Sequence, residues 1–261
     1  MNKFSLKLKS GLIVFAFMAT FMWMFSKSVI TQDQSYHAFV DTRNFWGIPN
    51  AHNVLTNILF IVAGFLGLKE LLSNDARTKK SWFWFFLSIV LVAPGSAYYH
   101  LNPNDQTLVW DRLPMSMGFM ALYVVLLAEH ISFKLEKFLH FALLTGLLSI
   151  GVWVFTTDLR FYFWIQFSTF LTVPLILILF PSFYNKRYWY FITLIFYALA
   201  KWVEIKDHQI FAFTNEFISG HALKHILAAV GLIGLWWMVK TREETSQAVT
   251  GGSVTNSATA L

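Results

Sequence analysis

With 261 residues, 56% of them hydrophobic and only 13% charged, the chain falls well below the roughly 25% charge of ordinary soluble domains and reads as a membrane protein. It has no cysteine, which excludes a disulfide framework and a thiolate metal site and leaves histidine as the ligand for any soft metal. The net charge of +6 is spread over short loops rather than gathered into a patch, so the basic residues read as topology signals and not as a nucleic-acid surface.

Lys3, Lys7 and Lys9 precede an apolar run from Gly11 to Phe25, the pattern of a signal peptide or of a first transmembrane anchor. Phe21, Trp23 and Phe25 stand where a cleavage site wants small residues, so residues 1–30 are expected to be an uncleaved anchor. A polar outer loop, 31–52, carries Asp33, Asp41 and Arg43. Seven further apolar segments follow, at about 53–73, 81–100, 112–131, 138–157, 161–181, 188–205 and 219–240, each near the ~20 residues that cross a bilayer as a helix. The expected fold class is therefore all-α: a polytopic membrane protein whose seven-helix bundle, 53–240, has short connections between antiparallel neighbours and is preceded by one extra N-terminal anchor. The tail, 241–261, lacks an apolar period and is expected to be disordered.

Within this frame several polar and small residues stand out. Asn57 lies inside the first of the seven segments and is expected either to hydrogen-bond across helices or to support a metal ligand. Pro94 beside Gly95 marks a kink or a close helix contact. Glu204, Asp207 and His208 read as a solvated helix end, and Trp82, Trp84, Trp189 and Trp236 as interfacial belts.

Orientation follows from the basic residues. With the N-terminus cytoplasmic, the inner loops and ends collect Lys3, Lys7, Lys9, Lys69, Arg77, Lys79, Lys80, Lys134, Lys137, Lys186, Arg187, Lys240 and Arg242, which is thirteen of the twenty lysines and arginines and fits the excess of positive charge on the cytoplasmic side. Both termini are then cytoplasmic.

On the opposite, outer (periplasmic or lumenal) side lie the residues that carry chemistry. Ser96 and His100 are four apart, on one face of a helix and about 6 Å apart along its axis; the turn at Asn102-Pro103-Asn104 returns the chain so that Asp111 begins the next helix nearby. His221 and His225 repeat the spacing of four at the start of the last segment. Three histidines from two helices can hold one divalent metal and leave a coordination position open, as catalytic zinc sites do. Ionisable groups near the ends of apolar helices are costly enough to mark function.

The motifs GSxxxH at Gly95–His100, DRLPM at Asp111–Met115 and GHxxxH at Gly220–His225 together resemble the alkaline ceramidase family, within the CREST superfamily of seven-transmembrane zinc hydrolases related to the progestin and adiponectin receptors. The resemblance covers about residues 41–240. It implies a bundle of ceramidase type, zinc held by His100, His221 and His225, and Ser96 and Asp111 as catalytic residues beside the metal. Two departures stand against it. Arg112 replaces the acidic residue of D-E-L-P-M, and Asn50 occupies the position of a calcium-binding glutamate seven residues before Asn57. Calcium prefers several anionic oxygens, so Asp41, Asn44 and Asn50 make a weak calcium site at best.

The function expected from this resemblance is zinc-dependent hydrolysis of the amide bond of a ceramide or other N-acyl membrane lipid, with Asp111 as general acid and base and Ser96 donating to the oxyanion. The alternative is a lipid receptor or binding protein in which the zinc is structural. A transporter would place its charged residues at mid-membrane, whereas here they sit near one face. The sequence carries no signal for an oligomeric state.

Overall fold

A computed structural model of the chain describes residues 5–73 and 76–246. Among these residues the fold is all-α, with ten α-helices, two short 3-10 turns and no strand. The helices are α1 (Leu6–Phe25), α2 (Ala51–Leu55), α3 (Ile58–Ser73), α4 (Lys79–Leu101), α5 (Asp105–His130), α6 (Leu139–Thr156), α7 (Arg160–Leu179), α8 (Tyr188–Ile205), α9 (Asp207–Phe213) and α10 (Gly220–Thr241). Seven helical stretches among the described residues are long and apolar enough to cross a membrane: α1, α2 with α3, α4, α5, the stretch Phe133–Thr156 that ends in α6, α7 and α10. The chain is a polytopic membrane protein. The eighth long helix, α8, coincides with the expected segment 188–205 and is diluted by Tyr188, Tyr190 and Tyr197 and by Lys201 and Glu204 near its end.

Helices α8, α10, α3, α4 and α5 pack in succession, α6 lies against α5, and α7 lies against both. α1 packs along α7, where Phe17 and Phe21 meet Trp164 with ring centroids 4.6 and 5.2 Å apart and Lys9 Nζ donates to the Leu179 carbonyl at 2.7 Å. The first apolar run is thus packed on the bundle over most of its length.

Three local departures from the expected elements have identifiable causes. The segment expected as one helix from 53 breaks at Thr56-Asn57, where Asn57 Nδ2 donates back to the Asn53 and Val54 carbonyls at 2.7 and 3.3 Å. Helix α5 begins seven residues before the expected 112 because Asn104 and Thr107 form a capping box, with Thr107 N donating to Asn104 Oδ1 at 3.0 Å; such a box satisfies two terminal N–H groups at once. Asp111 therefore sits in the second turn rather than at the helix start. The tail is ordered through Ser246: Asn185 N donates to the Glu243 carbonyl at 3.0 Å and Thr245 N to the Phe183 carbonyl at 2.9 Å. The expectation of disorder for 247–261 lies outside the described residues.

The end of the bundle away from the histidines is fastened by a buried polar knot. Glu129, fully buried, accepts from Thr78 Oγ1 at 2.6 Å, Trp82 Nε1 at 2.8 Å, Tyr190 OH at 3.1 Å and Arg242 Nη1 at 2.6 Å. Trp82 is therefore a core residue and not part of an interfacial belt.

Candidate metal centre

The two helices that carry the histidines are held in place by contacts only glycine permits. At Gly95, beside Ser96, a Cβ would lie 2.1 Å from the Trp110 carbonyl oxygen of α5; at Gly220, beside His221, it would lie 2.1 Å from the Val203 carbonyl oxygen of α8. Helix α4 can thus lie against the start of α5, and α10 can start against the end of α8. Gly95 marks a close helix contact, one of the two expected readings. The start of α10 is fixed further by Ser219, whose hydroxyl accepts from Ala222 N at 3.1 Å, and by Asp207 Oδ1, which accepts from His221 N at 2.7 Å.

His100, His221 and His225 converge. Each offers a ring nitrogen such that the three atoms all lie within 4.8 Å of one another, and the ring centroids are 4.9, 5.1 and 5.3 Å apart. The residues are 1%, 4% and 4% exposed. Both ring nitrogens of His100 and Nε2 of His221 have no hydrogen-bond partner. Buried polar atoms are paired in the great majority of cases, so several orphaned nitrogens facing one another call for a shared acceptor of lone pairs. Donor atoms around a tetrahedral zinc lie about 3.4 Å apart at the usual Zn–N length, so the residues fit a metal with a modest inward movement of the rings. His225 Nδ1 is 2.9 Å from Thr56 Oγ1, which fixes the ring and leaves Nε2 for the metal, as supporting partners of ligating histidines do. Thr56, not the neighbouring Asn57, is the supporting residue supplied by the break between α2 and α3. Asn57 is the residue that the sequence singles out in this segment, and Thr56 carries no sequence signal that separates it from its neighbour.

Ser96 and Asp111, both buried, lie at the same end. Both line, with His225, a cavity of about 620 Å³ walled by α4, α5, α7, α8 and α10. Its deep part is apolar, bounded by Phe85, Leu126, Val173 and Leu235, and it ends at Tyr190, whose hydroxyl is tied to Glu129.

The loop between α1 and α2 closes over the histidines. Phe39 packs on His100 and His221 with centroids 4.9 and 4.6 Å apart. His37 bridges Tyr99 OH at 2.9 Å and Asp105 Oδ1 at 3.0 Å, and Leu159 N donates to the Ile30 carbonyl at 2.8 Å. The calcium candidates do different work. Asp41 receives Arg43 Nε and Nη2, both at 2.7 Å, and pairs with His52 Nδ1 at 2.8 Å. Burial raises its carboxyl, but these partners outweigh burial and hold it below the usual aspartate range. Its oxygens are thereby taken. Asn50, in left-handed backbone at φ 49°, donates to the His100 carbonyl at 2.8 Å, and Asn44 is exposed. The hard anionic oxygens that calcium needs are thus not presented together by these three residues.

Glu204 is not a solvated helix end. It pairs with Lys201 and Lys224, accepts from Tyr36 OH at 3.2 Å and lines the mouth of the cavity. Burial, and then the charge of Glu204, push the Tyr36 phenol well above its ordinary value, so it stays protonated and donates. Asp207 caps α10 and His208 is exposed.

The site defines a class: a polytopic membrane protein with a buried three-histidine centre, able to hold a metal ion, at the head of an apolar cavity. No family model, no curated protein and no solved structure matches the chain.

Proposed function

We propose that the chain is a zinc-dependent hydrolase that cleaves the amide bond of a ceramide-like N-acyl lipid, and that its kinship is with the alkaline ceramidases. The observation that carries this reading is the convergence of three buried imidazoles, with orphaned nitrogens on His100 and His221, at the head of a cavity that is apolar in its depths. Zinc bound there supplies Lewis acidity, lowering the pKa of water to about 7 and polarising a carbonyl. The chain's own residues do the rest. The acyl chain lies in the cavity toward Tyr190, which brings the amide carbon to the level of Ser96, Asp111 and His225. Asp111 takes the proton of the attacking water and delivers it to the amide nitrogen as the carbon–nitrogen bond breaks, giving a fatty acid and an amine. Ser96 donates to the oxygen on which negative charge develops, a contribution that grows when the site is closed to water by Phe39 and the outer loop. The basic residues of the loops support cytoplasmic termini and a site that opens toward the periplasm or lumen.

The test is release of fatty acid from a panel of N-acyl lipids and lipid esters by purified protein. Wild type is expected to release it from the amides, and Asp111→Asn to lower kcat by about 10²–10⁴-fold with metal content unchanged. No release from any lipid, or an Asp111→Asn protein as active as wild type, overturns the reading and leaves a binding or receptor role for the same centre.

A further inference from the structure

Arg112 takes no part in the hydrolysis described above, yet it is 6% exposed and lines the cavity. Its guanidinium lies among three aromatic rings, 4.6 Å from the centroid of Trp153, 5.0 Å from Tyr162 and 5.6 Å from Tyr36. Rings stabilise a cation but offer its N–H groups no in-plane acceptor. Among the described residues Arg112 has no ion pair, its Nη1 is buried without a hydrogen-bond partner, and none of its other N–H groups is donated to an acceptor of the chain. An arginine is always charged and presents a rigid fork of five donors that matches a carboxylate or phosphate in two parallel bonds. Leaving the buried Nη1 unsatisfied is unfavourable, so the side chain is built to meet an acceptor that enters the cavity.

The surroundings say where on a ligand that acceptor sits. The apolar residues line the deep part toward Tyr190, while Tyr36, Lys201, Glu204 and Lys224 line the mouth with Arg112. The two lysines are paired with Glu204, whereas Arg112, although Asp111 beside it also lines the cavity, is the cation there whose fork makes no ion pair among the described residues. A lipid lying with its acyl chain in the apolar depth directs its amine-side head toward Arg112.

We propose that the lipid taken by this site carries an anion, a carboxylate or a phosphate, on its head, and that Arg112 binds it as a two-pronged charge-assisted pair. This rests on the hydrolase reading for the direction in which the lipid lies, but not for the binding itself.

The experiment compares N-palmitoylglycine with N-palmitoylethanolamine, which share the acyl amide and differ in carboxylate against hydroxymethyl. Apparent affinity is read from the ligand dependence of the unfolding temperature of the full chain in detergent, so the result does not depend on turnover. Wild type is expected to favour the acylglycine by about ten- to a hundredfold, the range of one charged hydrogen-bonded pair. Arg112→Gln brings that ratio to about one, and Arg112→Lys, which keeps the charge and loses the fork, falls between. A wild-type ratio near one overturns the proposal, whether or not the Arg112 variants fold, and so does a preference that survives Arg112→Gln. Stabilisation by inorganic phosphate alone that depends on Arg112, without an advantage for the acylglycine, assigns the site to a free anion and removes the headgroup. If neither lipid is hydrolysed but the affinity ratio and its dependence on Arg112 hold, the hydrolase reading falls and the anion site stands.

Discussion

Replacing His221 by alanine is expected to remove bound metal and amide hydrolysis together, taking both to background. The ring nitrogen lost, Nε2, is one of the orphaned atoms of the cluster, and the remaining pair, His100 and His225, supplies only two of the three protein ligands that a catalytic zinc site uses. The change is made at the first turn of α10, where the backbone remains capped by Ser219 and Asp207, so the fold is retained and loss of function is read apart from loss of protein. A His221→Ala protein that keeps wild-type metal and full hydrolysis would show that the three imidazoles do not act as one site.

The second large effect lies at the other end of the bundle. Arg242→Met is expected to destabilise the protein by about 3–5 kcal/mol, because it leaves the Glu129 carboxylate buried without its countercharge. Arg242 and Glu129 have side chains 2% and 1% exposed, and the arginine also lies over the rings of Trp82 and Tyr184, at 5.2 and 4.0 Å. The knot joins α4, α5, α8 and the segment after α10, so its loss loosens that end of the bundle as a unit. The double variant Glu129→Leu/Arg242→Met is expected to recover much of the loss, since removing both charges removes the unpaired one. Thermal or denaturant unfolding in detergent measures all three proteins; an Arg242→Met protein within about 0.5 kcal/mol of wild type, the range of an ordinary surface substitution, would contradict this account of the knot.

The membrane helices were legible because a span must be apolar for about 20 residues whatever it packs against; the expected segment 188–205 is a helix, α8, but it is not among the seven stretches long and apolar enough to cross. The histidines were legible because a spacing of four places two side chains on one helix face, and that local geometry survives into the tertiary site. What was hidden depends on contacts between residues far apart in the chain. Trp82 looks the same in sequence whether it faces lipid headgroups or donates to Glu129, and only the arrival of Glu129 and Arg242 decides it. Glu204 and Tyr36 are 168 residues apart and meet because the loop between α1 and α2 folds across the cavity mouth, a path that no periodicity encodes. The earlier start of α5 escaped notice because Asn104-Asp105-Gln106-Thr107 is polar, although Asn104 and Thr107 have the spacing of a capping box. Asp41 drew attention as an acidic residue for calcium, but Arg43 two residues on and His52 turn it into a loop clasp.

Elemental analysis of wild-type protein purified in detergent without added chelator tests directly whether His100, His221 and His225 hold a metal: about one zinc per chain is expected, the stoichiometry of a single three-histidine site. Less than a tenth of an equivalent, persisting after incubation with zinc and desalting, would contradict it.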